Sequence, residues 1–225
     1  MDPRKIGLSI EKSQHYLVDA RDRLKATYGW AEDDARLTVL NKCSNVLISI
    51  NLGYIFIDRH LSNPSWWHAN LSMQIDTGLM QKTGNEFEML LRISLIQSFL
   101  YAIESSMRIF MRAIDPTACK NGLAEFKSIY DCLLKKTGLQ HQTAIFDLWR
   151  NIRNTMHNNG LFMPPSGTNI QVIFNGMTYD FIMGKPNNFV TTDLIVDLIP
   201  PLIQAQLDVI TSAEVSQPAS ILEIS

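Results

Sequence analysis

Apolar residues recur at three- and four-residue steps along most of this 225-residue chain, the spacing that gives a helix one water-avoiding side. From about Ser9 to Tyr28 the apolar positions are Ile10, Tyr16, Leu17, Ala20 and Leu24, and Gly29 supplies a stop. Asp33 or Asp34 then opens a second helix reaching about Arg59, built on Leu37, Leu40, Val46, Leu47, Ile50, Tyr54 and Ile57. The stretch 61–84 holds Pro64, Gly78 and Gly84 and keeps no period, so it reads as a connection with one helical turn, packed to the body by Trp66 and Trp67. A long third helix is expected from Asn85 to about Ile114, where Asp115-Pro116 ends it. A shorter one follows at about 121–137, stopped by Gly138, and another runs from His141 to about Asn158.

The period changes after Gly160. In "LFMPPSG" two prolines remove donors and fix φ, so the helix cannot continue. "NIQVIFNGMTYDFIMG" then alternates about Asn175-Gly176, the dipeptide suited to a type I′ turn. Pairing outward from that turn sets Phe174 opposite Met177, Val172 opposite Tyr179 and Ile170 opposite Phe181. One side of this hairpin is apolar, and a lone hairpin is marginal in water, so it must lie on the helices. A last helix carries Pro200-Pro201, where a kink is expected, and residues 216–225 read as a loose tail. The pattern predicts an all-α protein, one antiparallel helical bundle over 1–225 with a small β-hairpin at about 170–183 inserted before the last helix.

Composition narrows the function. Apolar residues make up 46% and charged residues 19%, with a formal net charge of −2, so a bulk electrostatic grip on nucleic acid or anionic membrane is not expected. Any RNA contact must be local. The most apolar run, 46–57, contains Asn51 and is too short for a bilayer of ~30 Å, which suits a cytoplasmic protein without a membrane partner. Cys43, Cys119 and Cys132 are scattered, with no metal-ligand spacing, so no cofactor or metal is expected and the cysteines read as core packing.

The chemistry concentrates in "RNIRNTMHNNG", residues 150–160. On a helix over 141–158, Ile145, Leu148, Trp149, Ile152 and Met156 form a buried stripe. Arg150, Arg153, Asn154 and His157 form a second stripe about 100° around the axis, flanked by Asn151 and Asn158. Asn159-Gly160 supplies the left-handed residue that closes many helices. Arginine, histidine and asparagine also gather at helix C-termini for dipole and capping reasons alone, so composition does not by itself make this a site.

The segment "WRNIRNTMHNNG" resembles the signature of the HEPN superfamily, an arginine followed by a polar residue and then a histidine after four to six residues. Arg150, Asn151 and His157 match it, with six residues between Arg150 and His157. The resemblance implies a helical bundle of four or five helices with the motif late in the chain, and a homodimer in which two motif helices face each other. For active members it implies a metal-independent endoribonuclease that leaves a 2′,3′-cyclic phosphate. His157 would then act as acid or base and Arg150 as phosphate clamp, with Asn151, Arg153 and Asn154 positioning the nucleotide. It also implies an acidic residue on a preceding helix, a role open to Glu104 of "YAIESSMRIFMRAI", set to orient Arg150 or His157. Glu104, Arg108 and Arg112 equally suit a plain exposed ion-pair ladder.

Toxins and anti-phage effectors of this kind imply an antitoxin or a nucleotidyltransferase-like partner. The balanced charge, and the lack of an aromatic-and-basic strip, suit a non-catalytic module that binds RNA, nucleotide or protein. A bundle unrelated to the superfamily is the third reading.

Overall fold

The computed structural model describes residues 2–71, 75–117, 125–158 and 160–222, and holds eight α-helices and one two-stranded sheet among them. Helix α1 spans Pro3–Tyr28, starting earlier than the apolar pattern suggests, because Asp2 accepts from the Arg4 and Lys5 amides and Pro3 presets the first turn. Gly29 ends it at φ 68°, a left-handed geometry that glycine adopts without strain. Asp34 caps α2, Ala35–Phe56, which passes into a π-helical turn at Ile57–Leu61.

The expectation that 61–84 is mostly a connection is corrected. Helix α3, Pro64–Leu71, occupies its first part, and α4 begins at Thr77 and runs to Ile114. Asp76 accepts from the Leu79 amide at 2.8 Å, and this cap starts α4 despite Gly78 and Gly84. Trp67 is buried and donates from its indole nitrogen to the Leu61 carbonyl at 3.1 Å; Trp66 meets Phe56 edge-on. Helix α5 is Phe126–Lys136, the expected start at 121 lying outside the described residues, and α6 is Thr143–His157 after a short 3₁₀ turn.

Strands β1, Ile170–Phe174, and β2, Met177–Phe181, pair in the register read outward from Asn175-Gly176, with positive φ at both turn residues. Val172 and Phe181 bury their side of the hairpin, Phe181 against Phe162 and Phe189, and β1 lies on α6. Helix α7, Thr192–Thr211, continues through Pro200 and Pro201 and is followed by α8, Ala213–Ser216. The length and apolarity of α7 would suit a membrane span, yet Ile195, Ile199, Leu202, Ile203 and Ile210 are buried inside the protein.

Helices α1 and α2 run antiparallel, with Gly7 beside Asn51 and Gln14 bonded to Ser44. So do α2 and α4, where Gly53 receives the Leu91 side chain: a Cβ at Gly53 would stand 2.5 Å from Leu91 Cδ2. Helices α4 and α7 run in the same direction, joined by Thr192–Glu88 at one end and Gln206–Ser106 at the other.

The loose-tail expectation is also corrected over residues 216–222; residues 223–225 lie outside the described residues. Arg36 is fully buried and donates from Nε to Asp34 Oδ1 at 2.7 Å. Its Nη1 reaches the carbonyls of Val215, Ser216 and Pro218 at 2.9, 3.2 and 2.9 Å. The Ile221 amide donates to Asp34 Oδ2 at 3.1 Å, and Trp30 lies 3.9 Å under the guanidinium. Carbonyls at the end of a helix have no partners within it, and one arginine satisfies several here. Cys43 is buried, and desolvation pushes its thiol up to about 12; Cys132 is half-buried and also free. Cys119 lies outside the described residues.

Candidate functional site

Helix α6 is fixed from its apolar side. Ile145, Leu148, Trp149 and Ile152 are buried, and the Trp149 indole donates to the Leu198 carbonyl of α7 at 3.3 Å. Phe99 of α4 lies 6.1 Å from the Trp149 ring, and Tyr130 of α5 5.6 Å from Phe146. Rotation of α6 about its axis is thereby set, and Arg150, Arg153, Asn154 and His157 fall away from the core, the first three half-buried and His157 exposed as the last helical residue.

Arg150 donates from Nη1 to Asn151 Oδ1 at 2.8 Å. Asn151 itself is buried, at 1% exposure, so it is placed to hold the guanidinium and not to meet a ligand directly. Its carbonyl accepts from the Thr155 hydroxyl at 2.9 Å, and Thr155 Oγ1 accepts from the Asn187 amide at 2.7 Å. The chain after the hairpin is thus tied to the motif helix. Gly160 closes α6 at φ 83°, its amide reaching the Thr155 carbonyl at 3.0 Å; Asn159 lies outside the described residues. Asn158 Nδ2 donates to the Asn154 carbonyl at 2.9 Å, which covers one carbonyl of the last turn next to His157.

Glu104 does face α6, but its partner there is Arg153, from Nη1 at 2.6 Å, in place of the expected Arg150 or His157. Its other oxygen accepts from Arg108 one turn along α4. The reason is geometric: Phe99 against Trp149 sets α4 at the level where Glu104 meets Arg153. Burial pushes the Glu104 carboxyl up, and the hydrogen bonds and charges of Arg108 and Arg153 outweigh it, holding the group below the usual carboxylate range. Arg153 also lies 5.8 Å from the Phe126 ring, and its buried Nε has no hydrogen-bond partner among the described residues.

A neighbouring cluster escaped the sequence reading. Asp147, one turn before Arg150, accepts from the Tyr130 hydroxyl and from Lys127 Nζ at 3.0 Å. Desolvation, with the Asp147 charge, pushes the Tyr130 phenol up, while the Arg150 charge works against that, so Arg150 lies within electrostatic reach. The available signal was position: Asp147, Arg150 and Asn154 share one helix face at steps of three and four.

The face therefore carries a guanidinium held from below by a buried amide, a second guanidinium fixed by a carboxylate, and an exposed imidazole. Arg150 and His157 are two turns apart, roughly 10 Å along the axis at ~1.5 Å per residue. Such a set can bind an anion and exchange a proton. Among the described residues, no group of three or more histidine, cysteine or carboxylate side chains is placed to hold a metal ion. Comparisons of the chain with protein-family models, curated proteins and solved structures found no match.

Proposed function

We propose that this protein is a metal-independent endoribonuclease of the HEPN type, with Arg150 and His157 as its working residues. The observation that carries the reading is the placement of Arg150, braced by buried Asn151, on the same face of α6 as solvent-exposed His157. The chemistry requires a base for the ribose 2′-hydroxyl and a cation for the phosphorane. His157 takes the 2′-proton, the 2′-oxygen bonds to phosphorus, and the bond from phosphorus to the 5′-oxygen breaks. The leaving 5′-oxygen takes its proton from an imidazolium, supplied by His157 of a second copy when two motif helices face each other across a two-fold axis. The products are a 2′,3′-cyclic phosphate and a 5′-hydroxyl. An imidazole has one ring nitrogen to take a proton and one to give it, and a guanidinium grips phosphate oxygens with a planar fork of donors. Arg153 and Asn154 border the nucleotide, and Glu104 acts through Arg153. A toxin or defence effector held by an antitoxin or nucleotidyltransferase-like protein is the setting this activity suits.

The balanced charge, and the engagement of Arg153 and Arg108 by Glu104, favour a second reading, a helical module that binds RNA, nucleotide or protein without cutting it. Incubation of purified protein with structured and unstructured RNA in EDTA separates the two. The expected result is cleavage by wild type with cyclic-phosphate ends, and near-complete loss in His157→Ala and Arg150→Ala that keep the wild-type helical signal. Equal activity in wild type and His157→Ala sinks the catalytic reading, and binding without cleavage selects the module.

A further inference from the structure

Helix α2 carries an outer stripe that no described residue covers. Ile48, Leu52 and Ile55 recur at i, i+4 and i+7, and Leu52 is 61% exposed. The faces beside it continue the patch. Leu8 of α1 borders the same recess as Ile55, and on α4 Leu90 and Tyr101 are 57% and 72% exposed. Residues 43–57 contain no charged side chain, nor do 93–103 of α4. With large apolar side chains of roughly 150–200 Å² each, these six leave on the order of 550 Å² of apolar surface, near the upper end for a monomer.

The order of residues along α2 says what fits there. Taken about position 50, the exposed positions of the helix fall into facing pairs: Ile48 with Leu52, Asn45 with Ile55, and Lys42 with Asp58. All six of these side chains are exposed. A two-fold axis at this point lays a second α2 antiparallel on the first. Ile48 then meets Leu52 of the second copy twice over, and each Lys42 stands opposite an Asp58 at the ends of the stripe. An ammonium has three donors, so Lys42 can accept this partner beside any other it has. A groove of about 510 Å³ between α2 and α4, lined by Asn45, Val46, Ser98 and Tyr101, opens where Ile55 of the second copy comes to rest. The stripe from Lys42 to Asp58 is about 24 Å long at ~1.5 Å per residue. A standard interface buries ~800 Å² per partner, so the exposed rim of Asn45 and Ser49 is covered along with the apolar side chains.

We propose that the outer face of α2, flanked by α1 and α4, is a self-association surface on which a second copy of this chain packs antiparallel about a two-fold axis near Ile50. An isologous contact needs one patch complementary to itself, which these facing pairs provide. The surface is separate from α6 and does not depend on the nuclease reading.

The test uses the full chain and reads register as well as mass. Light scattering on a sizing column at tens of micromolar is expected to give Leu52→Glu half the mass of wild type, at an unchanged helical signal. Asp58→Lys, which sets lysine against lysine, is expected to weaken association about tenfold. Ile48→Cys and Leu52→Cys chains, mixed under mild oxidation, should cross-link to each other, and neither should cross-link to itself. A wild type of single-chain mass, an unchanged mass in Leu52→Glu, or self-linking of Leu52→Cys without the mixed product would each overturn the proposal.

Discussion

Replacing Arg36 by methionine should cost this protein much of its stability, and the structure supplies the magnitude. The methionine keeps the volume beneath the tail but removes every donor of a fully buried guanidinium. Asp34, itself 1% exposed, keeps only the backbone amides of Arg36 and Ile221, and the carbonyls of Val215, Ser216 and Pro218 lose their shared donor. Removing one partner of a buried pair typically costs 3–5 kcal/mol, because the remaining charge is left without compensation. For a chain of this size about 2–4 °C of melting temperature is lost per kcal/mol, so a drop of roughly 6–20 °C is expected.

Acid should narrow that gap. Burial pushes the Asp34 carboxyl up, but the hydrogen bonds from the Arg36 side chain and from the amides of Arg36 and Ile221, with the Arg36 charge, leave it below its ordinary value. The stabilisation it brings is therefore present above the ordinary carboxylate pKa near ~4 and disappears as pH falls through the lower folded value. Urea unfolding followed by circular dichroism at pH 7 and at stepwise lower pH measures both effects. A second arm, Asp34→Asn with Arg36→Met, should lose less than the two single losses added together, since the second change no longer strands a charge. A loss under about 1 kcal/mol at pH 7, or a gap that widens in acid, refutes the reasoning.

Glu104→Gln should lower stability by about 1–3 kcal/mol at neutral pH, through the two arginines it leaves beside a neutral amide. Because the Glu104 carboxyl is held below its usual range, that difference should vanish as pH drops through the folded value, which the same urea series reads. Phe181→Ala empties the space between Phe162 and Phe189 and should cost about 3–5 kcal/mol; a loss below 1 kcal/mol in thermal melts would mean that the hairpin hardly packs on the helices. Cys43, with its thiol pushed up to about 12, should resist a thiol-specific reagent at pH 8 in the folded protein and react fully in urea.

Much of this architecture is written in local pattern. The Asn175-Gly176 turn fixed the hairpin register residue by residue, because two adjacent positive-φ positions admit few alternatives. Gly29 and Gly138, both left-handed, marked helix ends for the same reason. Other features depend on partners far along the chain. The start of α4 lay hidden because Gly78 and Gly84 argue against a helix, while Asp76 and the packing beyond it argue for one. The ordered tail was invisible because it depends on one arginine 179 residues before Val215. At the candidate site, periodicity put Arg150, Arg153 and His157 on one face. Which guanidinium meets Glu104 was decided by the relative level of two helices, and Asn151 turned inward because its angle on α6 falls on the core side of the polar stripe.

The notch at Gly53 has a mechanical meaning. Leu91 projects into the space where a side chain on α2 would stand. Displacement of α2 along α4 would have to lift the leucine out before it could move, so this contact resists sliding. Anything bound to the outside of α2 therefore presses on a keyed pair, and a pull along the helix axis meets Leu91 of α4.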